Sequence, residues 1–110
     1  HYGTWIDTET IRFYTGSKKY GHNNHQCAMV WVEWYDADDN KHFISRFEID
    51  FDCRLMRMLY ATAYNSENKV INSYNNSYAE FDDVIPNSNG EAVYDAVVML
   101  KETRENARRL

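Results

Sequence analysis

Residues 43–53 read Phe43-Ile44-Ser45-Arg46-Phe47-Glu48-Ile49-Asp50-Phe51-Asp52-Cys53, and no other stretch constrains the chain as much. Strand side chains alternate between two faces, so Phe43, Phe47, Ile49 and Phe51 share one side and Arg46, Glu48, Asp50 and Asp52 the other. The expected element is an antiparallel strand with one buried face and one wet face. Such a strand needs a second layer, and the sequence supplies one. Ser88 and Glu91 have the Ser-x-x-Glu spacing that satisfies exposed backbone N–H groups at a helix start. Pro86 stands just outside, where it costs no helical hydrogen bond. Val93, Ala96, Val97 and Leu100 then recur at helical spacing. The fold class is α+β: a single antiparallel sheet, a meander of about five strands, packed against one C-terminal helix.

The other segments fill in this plan. Trp5 to Tyr14 reads as a first strand, with β-branched and aromatic residues around Asp7-Thr8-Glu9-Thr10. Thr15 to Gln26, including Lys18, Lys19 and Gly21, reads as a mobile surface loop. Cys27 to Tyr35 is apolar on both parities and reads as a central strand. A turn follows over Asp36 to Lys41, expected as a three-residue loop of Asp38, Asp39 and Asn40. Leu55 to Tyr64 and Lys69 to Tyr74 continue the meander across an Asn65-Ser66-Glu67-Asn68 turn. Asn75 to Asp83 reads as irregular. Beyond Leu100 the sequence to Arg109 is polar all round and is expected to project into solvent or fray. At 110 residues, with no linker or repeat, residues 1–110 form one domain.

Composition excludes several functions. A net charge of −5 disfavours nucleic acid, which attracts basic stripes. No apolar run approaches the ~20 residues of a transmembrane helix. No signal peptide is present, so the chain reads as cytosolic or as a mature, exported domain. His22 and His25, with His42 elsewhere, lack zinc-site spacing and read as solvated. Asp36, Asp38, Asp39 and Asn40 lack the spaced ligands of a calcium loop. Glu48, Asp50 and Asp52 could suggest acid–base work, but Arg46, Arg54 and Arg57 are placed to neutralise them. Cys27 has no motif that would make it a nucleophile. Trp31 and Trp34, three apart, fall on opposite faces. No catalytic, cofactor-binding or metal-ligating residue is therefore assigned, and no cofactor is expected.

Two cysteines do not define a disulfide framework. With the three-residue loop, Cys27 lies opposite Phe51 and Cys53 one diagonal step away, ~7–8 Å between Cα atoms, which is at the limit of a bridge. Two buried free thiols are expected, with a Cys27–Cys53 disulfide as the less favoured alternative. A four-residue loop would instead turn the two cysteines to opposite faces.

Four segments, in order, resemble the surface-adhesin protein E family of exported bacterial proteins. They are Trp5 to Arg12; Val30-Trp31-Val32; Phe51-Asp52-Cys53 with Arg57-Met58-Leu59; and Ile85 to Tyr94. The resemblance implies a curved antiparallel sheet closed by a C-terminal helix, export to the envelope or surface, a removed lipoprotein-type signal, and host or matrix partners. Family members commonly bridge the cysteine after the aspartate to one in the terminal helix; here that helix reads Ala96-Val97-Val98-Met99. The expected function is a non-enzymatic exported surface or envelope protein, an adhesin-like binding domain. The alternative is a periplasmic small-ligand or haem-binding module using the concave sheet face. A small hydrolase is the weakest reading, for want of a triad. An open sheet edge or tryptophan-bearing face would allow a weak homodimer.

Overall fold

The structure is a computed structural model that describes residues 2–17 and 22–108, with Tyr2 as backbone only. Lys18, Lys19, Tyr20 and Gly21 of the expected loop, and Arg109 of the expected tail, lie outside the described residues. The strands are β1 (Tyr2–Ile6), β2 (Arg12–Thr15), β3 (Gln26–Asp36), β4 (Lys41–Asp50), β5 (Leu55–Tyr64), β6 (Val70–Asn75) and β7 (Asp82–Asp83), followed by the helix α1 (Asn89–Arg108). They form one antiparallel sheet in the order β1-β3-β4-β5-β6, with β2 on β3 and β7 on β5. The α+β fold is as expected.

The first strand is two. β1 pairs with the far half of β3, Trp5 opposite Glu33, and β2 with its near half, Phe13 opposite Ala28. Asp7 breaks it: its Oδ1 accepts the Glu9 N–H at 3.2 Å and closes a polar turn. Ile11, 7% exposed, then leads the chain back into the core.

The β3–β4 hairpin pairs Asp36 with Lys41 and Cys27 with Asp50, so the loop has four residues rather than three. Asp36 Oδ1 accepts the N–H groups of Asp38 (3.0 Å) and Asp39 (3.3 Å), and Asn40 takes φ 51°. That carboxylate-braced turn absorbs the extra residue and shifts the expected register by one. Between β4 and β5 the register shifts again, because Phe47 pairs with Met58 but Arg46 with Tyr60, leaving Leu59 as an inserted residue.

α1 begins where the Ser-x-x-Glu motif placed it. Ser88 Oγ accepts the Glu91 N–H at 3.1 Å, while Glu91 Oε1 reaches one residue further back, to the Asn87 N–H at 3.1 Å. Val93, Tyr94 and Val97 are buried against Val30, Val32, Ile49 and Met56, with Phe47 and Phe51 at the margin. The tail does not fray. The helix continues to Arg108, and Arg104 lies over Phe13 (5.3 Å) and donates to the Thr8 carbonyl at 3.0 Å.

Candidate functional site

The face of β4 turned away from the helix was expected to be wet. It is not: Glu48 and Asp50 are both 0% exposed. Two loops from opposite edges of the sheet cover it, the β2–β3 loop carrying His22 and His25 and the β6–β7 loop carrying Ala79 and Phe81. Alternation told which side chains share the face but not what lies over it.

Glu48 is neutralised as expected, by Arg57, whose Nε donates to Oε1 at 2.6 Å. Tyr14 OH also hydrogen-bonds its Oε2. Arg57 spends a further N–H on the Ala79 carbonyl (2.9 Å) and stacks on Phe81 at 4.6 Å, so it ties the covering loop to the sheet. The other two arginines are not brought to these carboxylates. Arg46 lies over Trp31 at 5.3 Å, its buried Nε without a hydrogen-bond partner among the described residues, and Arg54 pairs with Glu91 at 3.1 Å.

Asp50 has a different environment. Its Oδ1 accepts the backbone N–H groups of Asp52 (3.0 Å) and Cys53 (3.1 Å), which fixes the carboxylate at the end of β4. Its Oδ2 meets two imidazoles: His25 Nδ1 at 2.7 Å and His22 Nδ1. The histidines, expected as solvated, are half-buried and converge. A turn makes this possible, with the His25 N–H donating to the His22 carbonyl at 3.1 Å and Asn24 at φ 67°. Gly16 seats that turn, its N–H donating to the His25 carbonyl at 2.7 Å and its carbonyl accepting from Asn24 at 2.9 Å. A Cβ at Gly16 would lie 1.8 Å from the His22 carbonyl oxygen, so only glycine fits. His22 also packs on Phe81, 4.5 Å between ring centres.

The charges respond to each other. The Asp50 hydrogen bond raises the His25 pKa above its ordinary value, against a smaller opposing effect of burial. Burial resists ionisation of Asp50, but the His25, His22 and Cys53 hydrogen bonds together outweigh it and hold its pKa below the usual value.

Cys53 Sγ stands 3.7 Å from His25 Nδ1. Cys53 is exposed, against expectation, because it sits on the bend after β4; Cys27 is buried, and the two are not bridged. Cysteine, histidine and aspartate side by side invite comparison with a catalytic triad. Yet Asp50 and Cys53 both address the same nitrogen of His25. A triad needs the acid on one ring nitrogen and the nucleophile on the other. What this cluster does offer is convergent lone pairs.

The helix-facing side of the sheet holds a second feature. α1 covers only part of it, leaving a groove of about 990 Å3 whose walls include Trp34, Phe43, Phe47, Met58, Tyr74 and Ile85. The groove runs out to β6, where Val70, Ile71 and Tyr74 are 58%, 48% and 41% exposed. Neither the histidine cluster nor the groove was legible in the sequence, and the one available hint was two histidines separated by Asn-Asn. Among the described residues no helix is long and apolar enough to cross a membrane. No family model matches the chain, and neither does any curated protein or solved structure.

Proposed function

We propose that this domain is a non-enzymatic, exported binding protein that takes an extended segment of a partner protein along the open edge of β6 and into the adjoining groove. One observation carries the reading: Tyr74 belongs both to the edge strand and to the groove wall. Among the described residues β6 pairs with β5 alone, so its outer edge is open to a further strand once the Ser73 N–H exchanges its local bond to Asn72 Oδ1 (2.9 Å) for one to the partner. Sheet edges are ordinarily guarded by charge or proline, whereas residues 70–79 contain neither. Backbone pairing would supply affinity and the apolar groove selectivity for the partner's side chains. Export, and a host or matrix protein as partner, are what the family resemblance implies, and they rest on that resemblance.

The test is binding to a panel of immobilised extracellular-matrix proteins by wild type and by Ile71→Lys/Tyr74→Lys. Saturable binding lost at least about tenfold in the variant, with unchanged thermal melting, supports the reading. No binding to any panel member, or binding that the variant retains, overturns it. The volume of the groove also suits a small apolar ligand or haem. In that second reading the domain, titrated with haem, shows a Soret shift that Tyr74→Phe alters.

A further inference from the structure

We infer that His22, His25, Asp50 and Cys53 form a binding site for one divalent transition-metal ion, Zn2+ by the chemistry of its donors. The ligand atoms of His22, His25 and Asp50 all lie within 4.8 Å of one another. Both imidazoles present the same atom, Nδ1, to the same carboxylate oxygen, Asp50 Oδ2. Asp50 is held from behind by two backbone N–H groups on Oδ1, the kind of outer support that aims a metal ligand. Phe81 against His22, and the edge-on contact of the two imidazoles at 5.4 Å, restrain the rings. The Asp50 carboxylate is wholly buried while the two rings are half-exposed, so an ion would reach these converging atoms from the solvent side.

His22, His25 and Asp50 form the three-ligand cluster, and Cys53, beside His25 on the exposed bend, completes a tetrahedron by a turn of its side chain towards the other two. Zn–S of about 2.3 Å and Zn–N of about 2.0 Å give a sulfur–nitrogen edge of roughly 3.5 Å. The observed Cys53 Sγ to His25 Nδ1 separation is 3.7 Å. The His25 Nδ1 to Asp50 Oδ2 distance of 2.7 Å must open by about 0.6 Å, which a loop residue and a strand end can share. Two imidazoles, a carboxylate and a thiolate suit Zn2+ and exclude Mg2+ and Ca2+, which take oxygen donors. The bound ion joins the β2–β3 loop to the end of β4 and to the bend after it, so it acts as a clasp on the covering loop.

The experiment uses the whole chain, stripped with EDTA and titrated with Zn2+ in competition with a chromophoric chelator, then with Co2+. One equivalent of Zn2+ is expected, with a rise in melting temperature and no response to Mg2+. His25→Ala removes a direct ligand and is expected to weaken binding by at least about 100-fold, the upper end of what loss of an outer-shell partner alone costs. Co2+ is expected to give tetrahedral visible bands and a thiolate charge-transfer band that Cys53→Ser removes. His42→Ala, remote from the cluster, serves as the control and leaves affinity unchanged. Circular dichroism establishes that each variant is folded. Absence of saturable one-to-one Zn2+ binding, or a folded His25→Ala protein with wild-type affinity, overturns the inference.

Discussion

At the scale of single residues, the two cysteines have separate fates. Burial raises the Cys27 thiol pKa above its ordinary value and hides it from reagent, whereas Cys53 is exposed beside His25. A disulfide reagent applied without denaturant should therefore label one thiol quickly, and the second should appear only in urea. Two fast thiols, or none, would contradict this arrangement. The Glu48–Arg57 pair makes a stronger demand. Removing the cation leaves a carboxylate at 0% exposure uncompensated, so Arg57→Met should lose about 3–5 kcal/mol in urea unfolding. Glu48→Leu/Arg57→Met should recover much of that loss, because two apolar side chains can replace a buried ion pair. That arginines near β4 neutralise its carboxylates was legible in the sequence, but of Arg46, Arg54 and Arg57 only Arg57 does so, because it stands directly opposite Glu48 on β5. The Asp50 partners were not legible, because they come from a loop 25 and more residues upstream and depend on a turn that Gly16 permits.

Elements were more legible than their surroundings. The Ser88–Glu91 cap and the Val93/Val97 stripe are local signals, and each sits where local chemistry demands. Val97 is 0% exposed, so Val97→Asp should destabilise the domain by about 3–5 kcal/mol, and an unchanged melting curve would refute the docking of the helix. The same helix gives the domain an alkaline limit. Burial raises the Tyr94 pKa above 10.0, against a smaller opposing effect of the Arg54 guanidinium. A group raised in the folded state contributes stability that is complete below its unfolded pKa and lost as pH rises through the folded value. Unfolding free energy should thus fall above about pH 10, and Tyr94→Phe should flatten that slope. The split between β1 and β2 escaped the sequence because Thr8 and Thr10 favour strands, which masked the turn made by Asp7. The hairpin register escaped because one carboxylate, Asp36, decided the loop length.

The whole molecule is a thin plate, 45 × 33 × 25 Å, with a radius of gyration of 14.7 Å against about 13 Å for a compact chain of this length. One helix of 20 residues cannot cover a sheet of this width, and the groove is the uncovered remainder. The open, uncharged β6 edge should give weak, concentration-dependent self-association in sedimentation, abolished by Ile71→Lys. A strict monomer at millimolar concentration would exclude it. Fold class was readable at this scale because one apolar strand face and one apolar helix stripe have few ways to meet.

The hydrogen bond from Arg104 to the Thr8 carbonyl spans 96 residues of sequence. During synthesis β1 to β6 emerge before the helix, and neighbouring hairpins can pair as they appear. Val30, Val32 and Ile49 nevertheless stay open to solvent until the helix follows. The corner between β1 and β2 is then fastened by the last turns of that helix. A nascent chain halted before residue 90 would hold a nearly finished sheet with one greasy, unguarded side, which is the state that chaperones recognise and that aggregates. The strong local start signal at Ser88 shortens that exposure, since the helix can form on its own terms as soon as it arrives.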